Sequence, residues 1–250
     1  MVLVTGASRG IGREVARAAA GRGARLALLA RSGAELDALA AELGPPALAV
    51  AADVGDRLAV EAAVERVGSE LGPVDVLVAN AGIGSYGRFV DLDPDLLERM
   101  VRVNFLGTAH AMRAVLPGMV ERGRGRICVV ASVAGRFGPP LEAAYGATKF
   151  AQVGLAEAVA VEVKAQGVGV SVVDPGVVDT SFFTARGHPY ARDFPKPIPA
   201  SRVAATVMKA VEAGEGEFFV PRAFRAALAV RHLVPRLYGW GASRSYRAEL

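Results

Sequence analysis

At 250 residues and 52% hydrophobic content the chain can bury one large core, and α/β units commonly reach this length as a single domain, so residues 1–250 are expected to form one unit. The net charge of +4 rests on dispersed arginines with no nucleic-acid-binding motif beside them, which argues against a nucleic-acid partner. One cysteine cannot form an internal disulfide, and His110, His188 and His232 are scattered without a partner at metal-ligand spacing, so no metal site is expected.

In chain order, the apolar run VLV leads through TGASRGIG into EVARAAAGRG, which reads as strand, tight turn and helix. Gly6, Gly10 and Gly12 follow G-x-x-x-G-x-G spacing. Glycines there permit positive φ and close backbone approach to a pyrophosphate, which the free N–H groups of the following helix would face. Apolar runs recur at ARLALLA, ALAVAA, VDVLVANA, RICVVAS, VGVSVVD and GEFFV, separated by amphipathic or alanine-rich segments of helical length. Such alternation predicts an α/β, Rossmann-type parallel sheet, doubly wound by right-handed crossovers with helices on both faces. Ligands of such sheets bind beyond the carboxyl ends of the strands. Cys128, within RICVVAS, is expected as a buried strand residue, and Arg122, Arg124 and Arg126 of ERGRGRI as a solvated turn. Met1 enters the first strand directly and no run of about 20 apolar residues occurs, so a cytoplasmic protein is expected.

The segment YGATKFAQVGLAEAVAVEVKAQG has helical periodicity and a closing glycine. At i and i+4, Tyr145 and Lys149 share a face of that helix, roughly 5–6 Å apart at Cβ. A free phenol, with a pKa of about 10, donates poorly near neutrality unless a cation stabilises its phenolate. Ser132, thirteen positions earlier, lies in no G-x-S-x-G elbow, which argues against a serine hydrolase.

These motifs, TGASRGIG, Asp53 in AADV, Asn80-Ala81-Gly82, Asn104, Ser132, Tyr145, Lys149 and Pro175-Gly176, resemble the classical short-chain dehydrogenase/reductase family over roughly residues 1–180. The resemblance implies seven strands in the order 3-2-1-4-5-6-7 and a catalytic tetrad of Asn104, Ser132, Tyr145 and Lys149. Its cofactor site would comprise Gly6, Ser8, Arg9, Gly10, Ile11, Gly12, Arg31, Asp53, Val54, Asn80, Ala81, Gly82, Tyr145, Lys149, Pro175, Gly176, Val178 and Thr180. Basic residues at the positions of Arg9 and Arg31 accompany NADP preference in the family, because paired guanidiniums hold a 2′-phosphate that a carboxylate would repel. NADP(H) is therefore the expected cofactor.

The implied reaction is reduction of a carbonyl, ketone or 3-oxoacyl, to an alcohol, or the reverse. Tyr145 would donate the proton, Ser132 would orient the oxygen, Lys149 would tune the phenol and bind the nicotinamide ribose, and Asn104 would hold a water that links Lys149 to solvent. A non-enzymatic NADP(H)-sensing or scaffold protein on the same fold is the alternative. The family also implies association as a homodimer or homotetramer through the long helices beginning near Asp95 and Tyr145.

Residues 180–200 read as a short helical lid, with Phe182, Phe183, Tyr190 and Phe194, together with Leu141, as candidate walls for a lipophilic substrate. Residues 222–250 form a basic, apolar tail that departs from the ending of the 3-oxoacyl-carrier-protein reductases in this family. Arg222, Arg225, Arg231 and Arg236 interleave there with Phe224, Leu228, Leu233, Leu237 and Trp240. A helix docked on its own domain or on a partner subunit is the favoured reading of the tail, and an interfacial helix on an anionic membrane is the other.

Overall fold

The structure is a computed structural model and describes residues 1–192 and 195–246, with the side chains of Leu237, Trp240, Ala242, Ser243 and Ser245 outside the description. Phe194, expected in the pocket wall, therefore lies outside the described residues.

Seven apolar segments form one parallel sheet: β1 (Val2–Thr5), β2 (Leu26–Ala30), β3 (Ala47–Ala51), β4 (Val76–Ala79), β5 (Gly125–Val130), β6 (Val168–Pro175) and β9 (Gly216–Val220). Their order is β3-β2-β1-β4-β5-β6-β9, the doubly wound arrangement predicted, with the GEFFV strand last in the sheet. Two further strands, β7 (Val178–Asp179) and β8 (Ile198–Pro199), pair with each other beyond the end of β6.

Period-2 alternation divides each central strand between two cores. On one face Leu3, Leu77, Ile127 and Val129 pack with residues of α3 (Arg57–Leu71), α5 (Gly107–Glu121) and α7 (Ala143–Val163). On the other, Val2, Val4, Val78 and Cys128 pack with α1 (Gly10–Ala20), α2 (Gly33–Leu43) and α9 (Ala200–Ala213). Cys128 is fully buried, and burial pushes its thiol up to about 12, so it behaves as a core residue.

Helix starts follow local chemistry. The Asp56 carboxylate accepts from the N–H groups of Leu58 (2.9 Å) and Ala59 (3.2 Å) to cap α3, while Asp93 caps α4 (Pro94–Met100), with Pro94 in its first turn. Between α4 and α5 the chain widens into a π-helical turn over Val101–Leu106, and this turn carries Asn104. The arginine cluster expected as a solvated turn is only partly one: Arg122 donates to the Val74 carbonyl (2.8 Å), and Arg126, already inside β5, donates to that of Gly125 (2.8 Å), so two of the three cations tie down backbone.

Two short helices flank the carboxyl ends of β5 and β6: α6 (Ala134–Phe137), directly after Ser132, and α8 (Phe182–Ala185), in the expected lid. After β9 the tail forms α10 (Phe224–Leu233) and α11 (Pro235–Tyr246). Ring contacts of Phe137 with Phe224 (6.1 Å) and Tyr238 (5.9 Å), and a bond from the Tyr238 hydroxyl to the Phe137 carbonyl (2.9 Å), hold both helices to the domain.

Candidate active site

The glycine turn is shaped by contacts that leave no room for side chains. Gly6 and Gly10 adopt φ of +66° and +55°, a region costly for other residues. A Cβ on Gly12 would collide with the Gly6 carbonyl oxygen and lie 2.6 Å from the Asn80 amide nitrogen. Thr5, which sequence reasoning passed over, ties this turn to the end of β4. Its hydroxyl accepts from the N–H groups of Asn80 (3.0 Å) and Ala81 (3.1 Å), while the Asn80 side chain donates back to the Thr5 carbonyl (3.0 Å). The first turn of α1 therefore opens onto a rigid backbone cradle that suits a diphosphate.

That cradle forms one end of a cavity of about 1290 Å³. Ser8, Arg9, Ile11, Arg31, Asp53, Val54, Ala81, Gly82, Pro175, Gly176, Val178 and Thr180 line it, as do Gly6, Gly10, Asn80, Ser132, Tyr145 and Lys149. Of the residues predicted for the site, Gly12 and Asn104 do not line it and instead support it from behind. Arg31 is exposed at the mouth, and Arg9 is paired with Glu35 of α2 at 3.3 Å, a carboxylate absent from the sequence reading. The Asp53 carboxylate accepts from the Gly55 N–H (2.9 Å), which fixes its rotamer beside Val54.

At the other end, Ser132, Tyr145 and Lys149 are all buried. The Lys149 ammonium donates to the Val130 carbonyl (3.1 Å) and lies 5.7 Å from the Tyr145 ring centroid. Burial lowers its pKa to about 8, against the pull of Asp174. Burial pushes the Tyr145 phenol above its ordinary value and the Glu142 carboxylate adds to that, while a hydrogen bond with Ser132 and the charge of Arg186 bring it down. The i, i+4 spacing thus brings the ammonium to the ring, and the downward influences on the phenol itself come from Ser132 and Arg186. The Ser132 hydroxyl also accepts from the Ala134 N–H at 3.1 Å.

Asn104 is fully buried and held on several sides. Its amide donates to the Ile83 carbonyl (2.9 Å) and to Thr148 (2.9 Å), and its Oδ1 accepts from the Ile83 N–H (2.8 Å). The main-chain carbonyl of Asn104 accepts from Thr108 (2.8 Å) and Gln152 (2.9 Å). A Cβ on Gly82 would lie 3.4 Å from Asn104 Oδ1 and 3.7 Å from Lys149 Nζ, so both polar atoms flank the same glycine at the cavity floor.

Between Tyr145 and the segment from Phe182 to Tyr190 the cavity is aromatic. Phe182 meets Tyr145 at 5.5 Å and Phe183 at 5.8 Å, and Phe183 meets Tyr190 at 5.4 Å. Leu141, expected here as well, is buried at φ +65° and does not line the cavity. Sequence reasoning missed Arg186. Its side chain is 2% exposed, lies between the rings of Tyr86 (4.6 Å) and Phe183 (4.5 Å) and is bonded to Glu142 (2.8 Å), pinning the lid to the residue before α7. His188 stacks on Tyr86 at 4.2 Å. Phe224, Tyr238 and Tyr246 of the tail complete the wall in the same chain. Among the described residues there is no cluster of three or more His, Cys, Asp or Glu able to hold a metal, and no helix long and apolar enough to cross a membrane.

Comparison with known proteins places this geometry. The chain is 44% identical over 164 residues, 66% of its length and 71% of the relative's, to the inactive 2-(S)-hydroxypropyl-CoM dehydrogenase 2 of Xanthobacter autotrophicus. It superposes with a TM-score of 0.86 and 27% identity on a short-chain dehydrogenase/reductase of Burkholderia phymatum solved with NAD, covering 94% of each chain. An alcohol dehydrogenase of Thermococcus sibiricus, solved with 5-hydroxy-NADP, matches with a TM-score of 0.79 and 30% identity over 87% of this chain and 94% of that one. The family model described as short chain dehydrogenase matches residues 1–190, and the chain belongs to that family.

Proposed function

We propose that the protein is an NADP(H)-dependent oxidoreductase that interconverts a carbonyl, ketone or 3-oxoacyl, and the corresponding alcohol. The observation that carries this reading is the convergence of Ser132, Tyr145 and Lys149 at one end of a cavity whose other end is the glycine cradle. The cradle fits a dinucleotide because glycine at positions 6, 10 and 12 lets the turn close against Ala81, Thr180 and its own backbone, where a Cβ would be crowded, so that bare main chain meets the ligand at the start of α1. When bound, the nicotinamide supplies or accepts the hydride.

The chain's own residues handle the oxygen and its proton. In reduction, the Tyr145 phenol donates its proton to the carbonyl oxygen while the Ser132 hydroxyl hydrogen-bonds the same atom. Lys149, protonated below its pKa of about 8, offers its remaining N–H groups to the ribose and stabilises the phenolate that forms. Asn104 Oδ1, which flanks Gly82 together with Lys149 Nζ, is the group that would hold a water through which Lys149 is reprotonated.

Arg31 and Arg9 support NADP over NAD, with Glu35 as the counter-charge that Arg9 exchanges for a 2′-phosphate. Arg31→Glu is expected to weaken NADPH binding by about tenfold or more, the equivalent of one lost charge-assisted contact, with little change for NADH. Titration calorimetry with both cofactors checks this; preference for NADH in the native protein, or indifference to the substitution, rejects the assignment.

Phe182, Phe183, Phe224 and Tyr238, which line the cavity, support an apolar ketone as substrate. NADPH oxidation is expected to be fastest with bulky aromatic or alicyclic ketones and slow with short polar ones. Tight NADPH binding without turnover across aromatic, steroid-like, acyl-thioester and small ketones favours the sensor or scaffold reading instead.

A further inference from the structure

We propose that the outer face of α10 docks on an anionic membrane surface. The inner face of this helix is accounted for: Phe224 packs on Phe137, and the Arg231 guanidinium lies over Phe150 (5.4 Å) and Tyr238 (5.9 Å). The opposite face is where an ordinary surface helix would carry its polar residues. Here it carries Ala226, Ala227, Val230, Leu233 and Val234, all exposed, with Leu233 at 81% and Val230 and Val234 at 44% and 47%.

Within the tail itself the charge has one sign. Arg222, Arg225 and Arg236 are exposed beside it, and the sequence contains no Asp or Glu between Glu217 and Glu249. A second copy of the chain meeting the same face across a two-fold axis would set these arginines against themselves, which disfavours that occupant. An anionic lipid surface matches both features, taking the side chains of Val230, Leu233 and Val234 below the headgroups and the arginines among the phosphates. The stripe is short, so attachment is peripheral, reversible and sensitive to salt.

Because Phe224 and Tyr238 on the inner side also wall the cavity, docking brings that wall to the lipid boundary, where an apolar ketone would partition. The proposal goes beyond the catalytic reading, and its test does not depend on turnover. Sedimentation of the full chain with phosphatidylcholine vesicles, with and without phosphatidylglycerol, is expected to show binding to the anionic vesicles alone, lost as salt is raised. Leu233→Asp with Val230→Asp, and separately Arg222→Glu with Arg225→Glu, are expected to reduce binding at least about tenfold. The variants alter exposed positions, and unchanged circular dichroism and NADPH affinity serve as the control for folding.

Absence of binding at low salt overturns the proposal, as does binding that survives both pairs of substitutions. A concentration-dependent dimer abolished by Leu233→Asp also overturns it, by assigning the stripe to a second copy of the chain.

Discussion

Tyr145→Phe is expected to lower kcat by about 10²–10⁴-fold, the usual contribution of a positioned proton donor, while cofactor affinity stays near that of the native protein. The substitution removes one oxygen from a ring that keeps its neighbours. Phe182 at 5.5 Å and the Lys149 ammonium at 5.7 Å both contact the ring, so the cavity retains its shape. The cradle around Gly6, Gly10 and Gly12 is formed by other elements and should bind the dinucleotide as before. Single-turnover measurements with saturating NADPH separate the chemical step from product release. A variant that retains more than about a tenth of native kcat would show that another group delivers the proton.

The second large effect concerns Arg136, a residue behind the site. Its guanidinium reaches Asp174 at the end of β6 (3.1 Å), Glu157 of α7 (2.9 Å) and Glu217 of β9 (3.1 Å). It lies four residues after Ser132 and so fixes the turn that carries that hydroxyl. The Asp174 side chain is 0% exposed, and its Oδ1 has no hydrogen-bond partner, so Arg136 is the main compensation for a buried carboxylate. Arg136→Met should destabilise the fold by about 3–5 kcal/mol near pH 8, the range for breaking a buried pair from one side.

The loss should depend on pH in a definite direction. Burial raises Asp174 from 3.8 to about 6 in the folded chain, even with Arg136 pulling it down. Folding therefore takes up a proton between these values. The stability contributed by this group is complete below about 3.8 and is lost as the pH rises through 6. Without the arginine the folded value moves higher still, so the deficit of the variant should widen from pH 5 to pH 8. Urea denaturation at both values checks this, and a small deficit that is equal at each would mean that Glu157 and Glu217 had dominated the network.

The parts of this architecture that the sequence made readable share a physical cause. Strands β1 and β2 are buried on both faces, so VLV and LALLA appear as unbroken apolar runs, whereas the edge strand β9 leaves Gly216 and Glu217 exposed and only its FFV end reads as apolar. The turn at Gly6, Gly10 and Gly12 needs residues without Cβ, and that need is visible in the letters. Other parts depend on a third dimension. Nothing in the order of residues marks Arg186 as an inward-facing cation between two rings, since an arginine in a polar loop is ordinarily solvated. The π turn at Val101–Leu106 has the composition of an α-helix, and the two-residue strands β7 and β8 are too short to show a period. The tail was legible as basic and apolar, but its division into a pocket-lining side and an exposed side required the helix to be placed against Phe137 and Phe150.

The division of the cavity between two stretches of chain bears on how such a protein changes over evolutionary time. Residues up to Thr180 supply the cradle together with Ser132, Tyr145 and Lys149, while most of the aromatic residues lining the cavity, Phe182, Phe183, Tyr190, Phe224, Tyr238 and Tyr246, come after it, beside Tyr86 and Phe137 from the earlier stretch. Among the described residues after Thr180, only β9 joins the seven-stranded sheet, at its edge beside β6, and α9 is the helix that packs into the core against the sheet's face. Mutation or recombination in the segment around α8 and in α10 and α11 can therefore redraw what enters the cavity while the strand registers, and the packing of α9 and β9 that supports them, are kept. New specificities can accumulate there while the glycine cradle and the cluster of Ser132, Tyr145 and Lys149 are inherited intact.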